Sequence, residues 1–166
     1  MPLCNTIGYG AFSCCSNLSS ISFPECSSIN STAFQNCSNL ISVDASKCLY
    51  IGGNAFYSCI KLTTINLSLC SLIGSYAFYN CSALSNITLS ACEIISSSAF
   101  IFCSALSSVD LPNVSLLHSG VFYSCLNLTN INLPKCNIVS NYAFCLCVNL
   151  STISLPACTQ INAYAF

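Results

Sequence analysis

The sequence has very few charged side chains. Only seven of its 166 residues are Asp, Glu, Lys or Arg, none of them is arginine, and the formal net charge is −1. In an ordinary globular domain about a quarter of the residues are charged. Because nucleic acids and anionic lipids are bound by clusters of basic residues, we expect no nucleic-acid partner and no attraction to an anionic membrane surface.

Long apolar segments are also missing. The longest uninterrupted apolar run is "YAFCLCV", Tyr142 to Val148, whereas a membrane-spanning helix needs roughly 20 apolar residues. The N-terminal stretch "MPLCNTIGYG" lacks the basic start and apolar core of a secretion signal. We therefore expect no membrane insertion, and the chain either stays in the cytoplasm or follows a signal that lies upstream of this piece.

Groups suited to catalysis or metal binding are scarce. The acidic residues are scattered, at Glu25, Asp44, Glu93 and Asp110, and His118 is the single histidine. Catalysis needs paired titratable groups or an activated nucleophile, and metal sites usually combine C-x-x-C pairs with histidines. The sequence therefore predicts no catalytic residue, no metal site, no cofactor and no enzymatic activity.

The sequence is built from a strict repeat of 22 residues. Two cysteine columns keep this spacing, one from Cys15 to Cys147 and one from Cys4 to Cys158, with Val114 in place of one cysteine. Because column mates lie on top of one another in a repeat array, we expect a third column to form a continuous internal stack of aromatic rings. Its members are Phe12, Phe34, Phe56, Phe78, Phe100, Phe122, Phe144 and Phe166.

Within each repeat, the pattern L-x-x-I-x-L-x-x-C indicates a strand. In "LSNITLSAC" the alternation turns Ile87 and Leu89 inward and Asn86 and Thr88 outward. Stacked repeats should therefore form a long parallel sheet.

The returning segment has one inward anchor in each repeat, such as Ile51. Glycine or asparagine is frequent directly after this anchor, at Gly8, Asn30, Gly52 and Gly74. We therefore predict a turn with unusual backbone angles at that position.

The spacing and the signature A-F-x-x-C-x-x-L-x-x-I-x-L-P resemble the BspA-like leucine-rich repeat family over the whole chain. The best matching units are "AFSCCSNLSSISFPEC" from Ala11 and "AFCLCVNLSTISLPAC" from Ala143. The resemblance implies a leucine-rich-repeat solenoid that is mainly β, with a parallel concave sheet, short turns, and 3-10 or short strand segments on the convex side. Residues 1–166 would form a single array of about seven and a half repeats. Because no polar cap closes either end, we expect a piece of a longer array.

Known members of this family are mostly cell-surface or secreted proteins of bacteria and of parasitic or commensal protists, associated with adhesion to host proteins and other cells. The resemblance therefore implies a cell-surface or secreted location and a non-enzymatic binding or adhesion function. Two features depart from the family pattern. The family repeat is commonly one residue longer, and most of the Lys, Asp and Glu of its variable positions are lost here.

The sixteen cysteines admit three uses: structural thiols, disulfides or metal ligands. Within one repeat, Cys15 and Cys26 bracket an extended strand and lie too far apart for a disulfide, whose Cα atoms are about 4.4 to 6.8 Å apart. Pairing column mates would leave an odd thiol in a seven-member column. We favour buried, reduced thiols that act as small hydrophobes and weak hydrogen-bond donors, with Cys14 and Cys145, outside both columns, as the most exposed.

The best candidate for a binding surface is the outward side of the predicted sheet, which we call the open face. Its columns carry hydroxyl and amide groups and two carboxylates, which suit hydrogen bonding with a protein segment or a glycan. The usual aromatic and arginine anchors are absent, so affinity should come from repetition. The predicted ligand-binding residues are Ser42, Asp44, Thr64, Asn66, Asn86, Thr88, Ser108, Asp110, Asn130, Asn132, Thr152 and Ser154.

Other functions remain open. Uncapped ends would allow end-to-end self-association into a structural array, and a flat lattice of Ser and Thr matches ordered water, as an ice-binding surface requires. The repeat also departs from its pattern at Val114, Leu117, His118 and Val121. Local specialisation and neutral drift both explain this departure.

Overall fold

The computed structural model, which describes residues 3–166, is a parallel-strand solenoid of about seven turns. This confirms the predicted leucine-rich-repeat fold. Within these residues all regular structure is strand and there is no helix, so the returning segments are short strands rather than 3-10 turns.

The strands form two parallel ladders, because each coil contributes one strand to each ladder. The first strand ladder contains β2 (Ser20–Ser22), β4 (Ser42–Asp44), β6 (Thr64–Asn66), β8 (Asn86–Thr88), β10 (Ser108–Asp110), β12 (Asn130–Asn132) and β14 (Thr152–Ser154). The second strand ladder contains β1 (Thr6–Ile7), β3 (Ser28–Ile29), β5 (Tyr50–Ile51), β7 (Leu72–Ile73), β9 (Ile94–Ile95), β11 (Leu116–Leu117), β13 (Ile138–Val139) and β15 (Gln160–Ile161).

The period-two pattern places the side chains of the first strand ladder as predicted. Ser42 and Asp44 are exposed, whereas Val43 between them is buried. The parallel register pairs column mates, Ser42 with Thr64 and Val43 with Ile65. Each strand therefore presents two polar side chains outward and one β-branched side chain to the core.

The phenylalanine column forms the predicted internal stack. Neighbouring rings from Phe12 to Phe166 are nearly parallel, with centroids 5.1 to 5.8 Å apart. Phe34, Phe56, Phe78 and Phe100 are fully buried. The stack therefore runs through the core from Phe34 to Phe144, and its two ends, Phe12 and Phe166, are partly buried and exposed, respectively.

A third ladder, which the sequence did not predict, is made of turns. The backbone amide of Phe34 donates to the carbonyl of Ala55 in the next coil at 2.7 Å, and the amide of Phe56 donates to Ala77 at 2.7 Å. The amides in between close turns within their own coil, as Cys37 does onto Phe34 at 3.1 Å. We call this row the turn ladder. A small alanine precedes nearly every stacked phenylalanine in it, and most of these alanines are buried.

The prediction of unusual backbone angles directly after the second strand ladder is wrong. The left-handed residues lie two and six positions further along each coil, for example Asn54 (φ 56°) and Ser58 (φ 55°). Gly52 and Gly74 meet a different need, because neighbouring coils approach closely there. A Cβ atom on Gly52 would lie 2.4 Å from the backbone nitrogen of Ser31.

Both cysteine columns donate hydrogen bonds to backbone carbonyls. In the first column, the Cys59 thiol donates to Phe34 of the previous coil at 3.0 Å. In the second column, the Cys48 thiol donates to Tyr50 at 3.1 Å. The thiols are therefore structural donors as well as packing groups. Burial is incomplete in the first and last described coils, where Cys15 is exposed and Cys158 is half-buried, because these coils have a neighbour on one side only.

Both strand ladders are interrupted at the same place, which we call the interrupted step. The first strand ladder divides into β2-β4-β6-β8 and β10-β12-β14, and the second into β1-β3-β5-β7-β9 and β11-β13-β15. The expectation of one long sheet is therefore wrong. The turn ladder continues across the step, since the amide of Phe100 donates to the carbonyl of Val121 at 2.9 Å.

The substituted repeat supplies the side chains of the coil that follows this step. In the previous coil the Cys92 thiol donates a hydrogen bond to the carbonyl of Ile94. Val114 replaces the corresponding cysteine and cannot donate the equivalent bond. Val121 replaces alanine and adds two methyl groups at the turn ladder. The ring spacing rises from 5.1 to 5.2 Å between Phe12 and Phe100 to 5.5 Å between Phe100 and Phe122 and to 5.8 Å between Phe122 and Phe144. The interrupted step therefore coincides with the substituted repeat and with the start of a wider ring spacing.

Candidate ligand-binding face

The structure brings the predicted binding residues together on one side of the solenoid. All twelve are exposed, and each projects from a strand of the first strand ladder, between side chains that anchor the strand in the core. The placement predicted for the open face is therefore confirmed.

A shallow groove of about 540 Å³ runs along three coils of the open face. Its walls are the hydroxyl, amide and carboxylate groups of the outward side chains, at Ser20, Ser22, Ser42, Asp44, Thr64 and Asn66. Between these rows lie Ile21, Val43 and Ile65, whose side chains point into the core.

A smaller groove of about 260 Å³ lies across the interrupted step. Asn86, Thr88 and Ser90 line one side, and Ser108 and Asp110 line the other. The open face therefore has two grooves with similar chemistry, and each contains one aspartate.

Neighbouring coils hold the two carboxylates in place. The Ser22 hydroxyl donates to Oδ2 of Asp44 at 2.9 Å, and the Ser46 hydroxyl donates to Oδ1 at 3.4 Å. The amide of Asn132 donates to Oδ1 of Asp110 at 2.7 Å. Because a carboxylate accepts up to about four hydrogen bonds, each aspartate keeps acceptor capacity for the hydroxyl or amide groups of a ligand.

The buried thiols are unreactive groups. Burial raises the pKa of Cys48, Cys70 and Cys92 to about 12, and it raises the pKa of Cys81 and Cys103 well above the usual range. A protonated thiol is neither a nucleophile nor a metal ligand.

The remaining thiols and the other candidate groups add no reactive cluster. All sixteen cysteines are free, Cys14 is exposed as predicted, and Cys145 is half-buried. Within residues 3–166, no group of three His, Cys, Asp or Glu side chains lies close enough together to hold a metal ion.

An aromatic cluster lies on the side of the turn ladder, around the column of Tyr57, Tyr79 and Tyr123 that the sequence offers as the alternative to the open face. The rings of Tyr57 and Tyr79 stack at 4.4 Å, Phe102 lies edge-on to Tyr79 at 5.5 Å, and Tyr123 lies edge-on to Phe102 at 6.0 Å. Tyr76 contacts Tyr79 at 6.1 Å. We call these five residues the aromatic strip. The 22-residue alignment shows the tyrosine column but not the contribution of Phe102, which belongs to the neighbouring column and connects Tyr79 to Tyr123.

The ladders, the inward Leu, Ile and Cys columns and the polar open face define a leucine-rich repeat protein, a class of proteins that generally bind partners or act as scaffolds. The chain belongs to the BspA-type leucine-rich repeat family, whose model matches residues 5–119 and 71–166 in six copies. No curated protein matches the chain.

Solved structures of bacterial leucine-rich repeat proteins are similar to this chain. One from Bacteroides ovatus is 31% identical with a TM-score of 0.88, over 95% of this chain and 43% of that chain. One from T. pallidum is 28% identical with a TM-score of 0.81, over 86% of this chain and 72% of that chain. One from Eubacterium ventriosum is 27% identical with a TM-score of 0.77, over 90% of this chain and 42% of that chain. The chain thus spans less than half the length of two of these proteins.

No helix with the length and apolar character of a membrane span occurs in residues 3–166.

Proposed function

We propose that this protein is a non-enzymatic binding and adhesion scaffold at the cell surface or outside the cell. Its open face takes an extended polar ligand, either a glycan or a protein segment. The groove of about 540 Å³ across three coils carries this proposal, because its parallel rows of polar side chains suit an extended chain that crosses the strands.

Repetition supplies the affinity of this face. Small hydroxyl and amide groups each form weak hydrogen bonds, worth about 0.5 to 1.5 kcal/mol net. Column mates recur about every 4.8 Å along the array, so a linear ligand contacts several coils at once. The affinity then increases with the number of coils engaged.

The distribution of acidic groups supports a binding role rather than catalysis. Asp44 and Asp110 share one column of the open face but lie three coils apart, about 14 Å at the strand spacing. Each is held by a hydroxyl or amide neighbour rather than by a second carboxylate or a histidine.

Lysine substitutions test the open face. We expect the pair Asn86→Lys and Thr88→Lys to weaken capture at least tenfold on arrays of glycans and of extended peptides, with stability changed by less than about 0.5 kcal/mol. The matched control is the pair Ala83→Lys and Ala105→Lys, which adds the same charge in the column that already contains Lys61. Unchanged capture by the open-face pair, or equal loss in the control, would sink the proposal.

A further inference from the structure

The aromatic strip is a second exposed surface, on a different side of the solenoid from the open face. Its rings form an unbroken line of contacts from Tyr57 to Tyr123, over four coils or about 14 Å at the strand spacing. Tyr76 is 42% exposed and Phe102 is 39% exposed. Large aromatic faces are thus kept in solvent rather than in the core.

Two members of the strip adopt a backbone conformation that disfavours them. Tyr76 has φ 57° and Phe102 has φ 62°, whereas their column mates Asn54 and Asn80 have φ 56° and 55°. Asparagine tolerates this left-handed region, but a bulky residue there is strained. The left-handed conformation recurs at these two positions in every described coil and is a property of the repeat. Tyr76 and Phe102 are distinguished by placing a large exposed ring where asparagine fits without strain.

The surroundings of the strip define the chemistry of its ligand. No charged residue occurs in the turn segments 53–58, 75–80, 97–102 and 119–124. Without Lys or Arg the strip lacks the electrostatic attraction that stacking platforms for nucleic acids use. The neighbouring polar groups are amides and hydroxyls, at Asn54, Ser58, Asn80 and Ser124.

The size of the strip favours a small repeating ligand over a folded protein. A stable protein interface uses about 20 to 30 residues on each side, whereas the strip offers five aromatic side chains in one row. A neutral sugar ring presents an apolar C–H face to an aromatic ring and hydroxyl groups to nearby amides.

We propose that the aromatic strip binds a neutral glycan, independently of the open face. Sugar rings pack on the exposed rings of Tyr76 and Phe102 beside Tyr79, and the amides of Asn54 and Asn80 form hydrogen bonds with their hydroxyl groups. The strain at Tyr76 and Phe102 is then retained because asparagine there would remove the binding surface.

Affinity electrophoresis through gels that contain a neutral mannan, galactan or β-glucan tests this proposal. The test variant combines Tyr76→Asn with Phe102→Asn, which installs the residues of the column mates and therefore preserves the fold. We expect at least one neutral polysaccharide to retard the unmodified chain, and the double variant to lose at least tenfold in affinity. Its melting temperature should be equal or higher, because the strain is relieved.

The matched control is Tyr142→Asn. Tyr142 is a column mate of Tyr76 with φ 60° and 42% exposure, but it stacks on Tyr164 outside the strip. This control should keep full retardation. The proposal is overturned if no neutral polysaccharide retards the unmodified chain, if only charged polysaccharides or peptides bind, if the double variant binds normally, or if Tyr142→Asn loses as much. The lysine pair on the open face should keep retardation, which separates this proposal from the one above.

Discussion

The two segments on either side of the interrupted step differ although they share one repeat. In the segment of residues 6–95, the second cysteine column is unbroken and the strand ladders contain four and five strands. In the segment of residues 108–161, Val114 breaks that column and each ladder contains three strands. The difference leads to a testable hypothesis, that the core side chains of a single coil decide whether the strand ladders continue.

The turn ladder and the phenylalanine stack continue through both segments. The amide of Phe78 donates to Ala99 at 2.8 Å, and the amide of Phe122 donates to Ala143 at 2.9 Å. The strand hydrogen bonds are lost at the interrupted step, whereas the aromatic stack persists across it. The two are therefore separate sources of cohesion between coils.

The largest expected effect is a loss of stability at alkaline pH. Cys48, Cys70 and Cys92 have an ordinary pKa of 9.0 that burial raises to about 12. The folded state therefore holds its thiol protons where the unfolded chain releases them, so stability is full below pH 9 and is lost as the pH rises from 9 to 12. At about 1.4 kcal/mol per pKa unit, each thiol contributes about 4 kcal/mol.

Denaturant titrations between pH 7 and pH 11 measure this loss. The three thiols lie in the residue 6–95 segment, so peptide-resolved hydrogen exchange at pH 10 should show the greatest loss of protection there. Constant stability up to pH 11 would contradict the burial of the thiol columns.

Truncation of the phenylalanine stack should have the next largest effect, and it should differ between the segments. Phe78→Ala should cost about 3 to 5 kcal/mol, as for other buried phenylalanines. Phe122→Ala should cost less, because the Phe122 ring lies 5.5 and 5.8 Å from its neighbours, against 5.1 and 5.2 Å for Phe78. Equal costs in urea unfolding would show that the wider spacing has no energetic consequence.

Moving the valine into the other segment should have a smaller effect. Cys92→Val removes the thiol that donates to Ile94 and should destabilise the chain by about 1 to 3 kcal/mol, the cost of losing a buried donor. Cys92→Ala is the control for side-chain volume. Amide exchange should become faster in β7 and β9 in Cys92→Val, and a variant that exchanges like the unmodified chain would disprove the role assigned to Val114.

The sequence was sufficient to predict the coil and the open face because both depend on the periodic positions of side chains. Ile87 and Asn86 alternate within one strand, and Phe78 recurs in every coil, so orientation follows from counting residues. The placement of the twelve open-face residues needed no further information.

The features that the sequence did not predict depend on contacts between columns. Left-handed positions are usually occupied by Gly or Asn, but in the turn ladder some are occupied by other residues, such as Thr32 and Tyr76. The sequence therefore gives no regular signal for these turns. The interrupted step concerns hydrogen bonds between neighbouring coils, which the alternation of residues within one coil does not determine. The aromatic strip depends on Phe102 reaching across to a neighbouring column.

The interrupted step can be tested amide by amide, because three backbone rows cross it. In each row, the amide at the same position of successive coils donates a hydrogen bond to a carbonyl of the previous coil. Within residues 3–166 the exceptions at the step are the amides of Ser107, Ser115 and His118, which form no such bond. Their column mates on either side do form this bond. For Ser107 they are Ser85 and Thr129, both at 3.0 Å. For Ser115 they are Glu93 at 3.0 Å and Asn137 at 2.7 Å, and for His118 they are Ser96 and Ser140, both at 2.9 Å.

Hydrogen exchange of these nine amides, measured by NMR, tests the division into two segments most directly. We predict that Ser107, Ser115 and His118 exchange faster than both of their column mates, because they lack the inter-coil bond. The amide of Phe100 in the turn ladder should remain as protected as that of Phe78. Equal protection along all three rows would contradict the division and show that the strand ladders are continuous in solution.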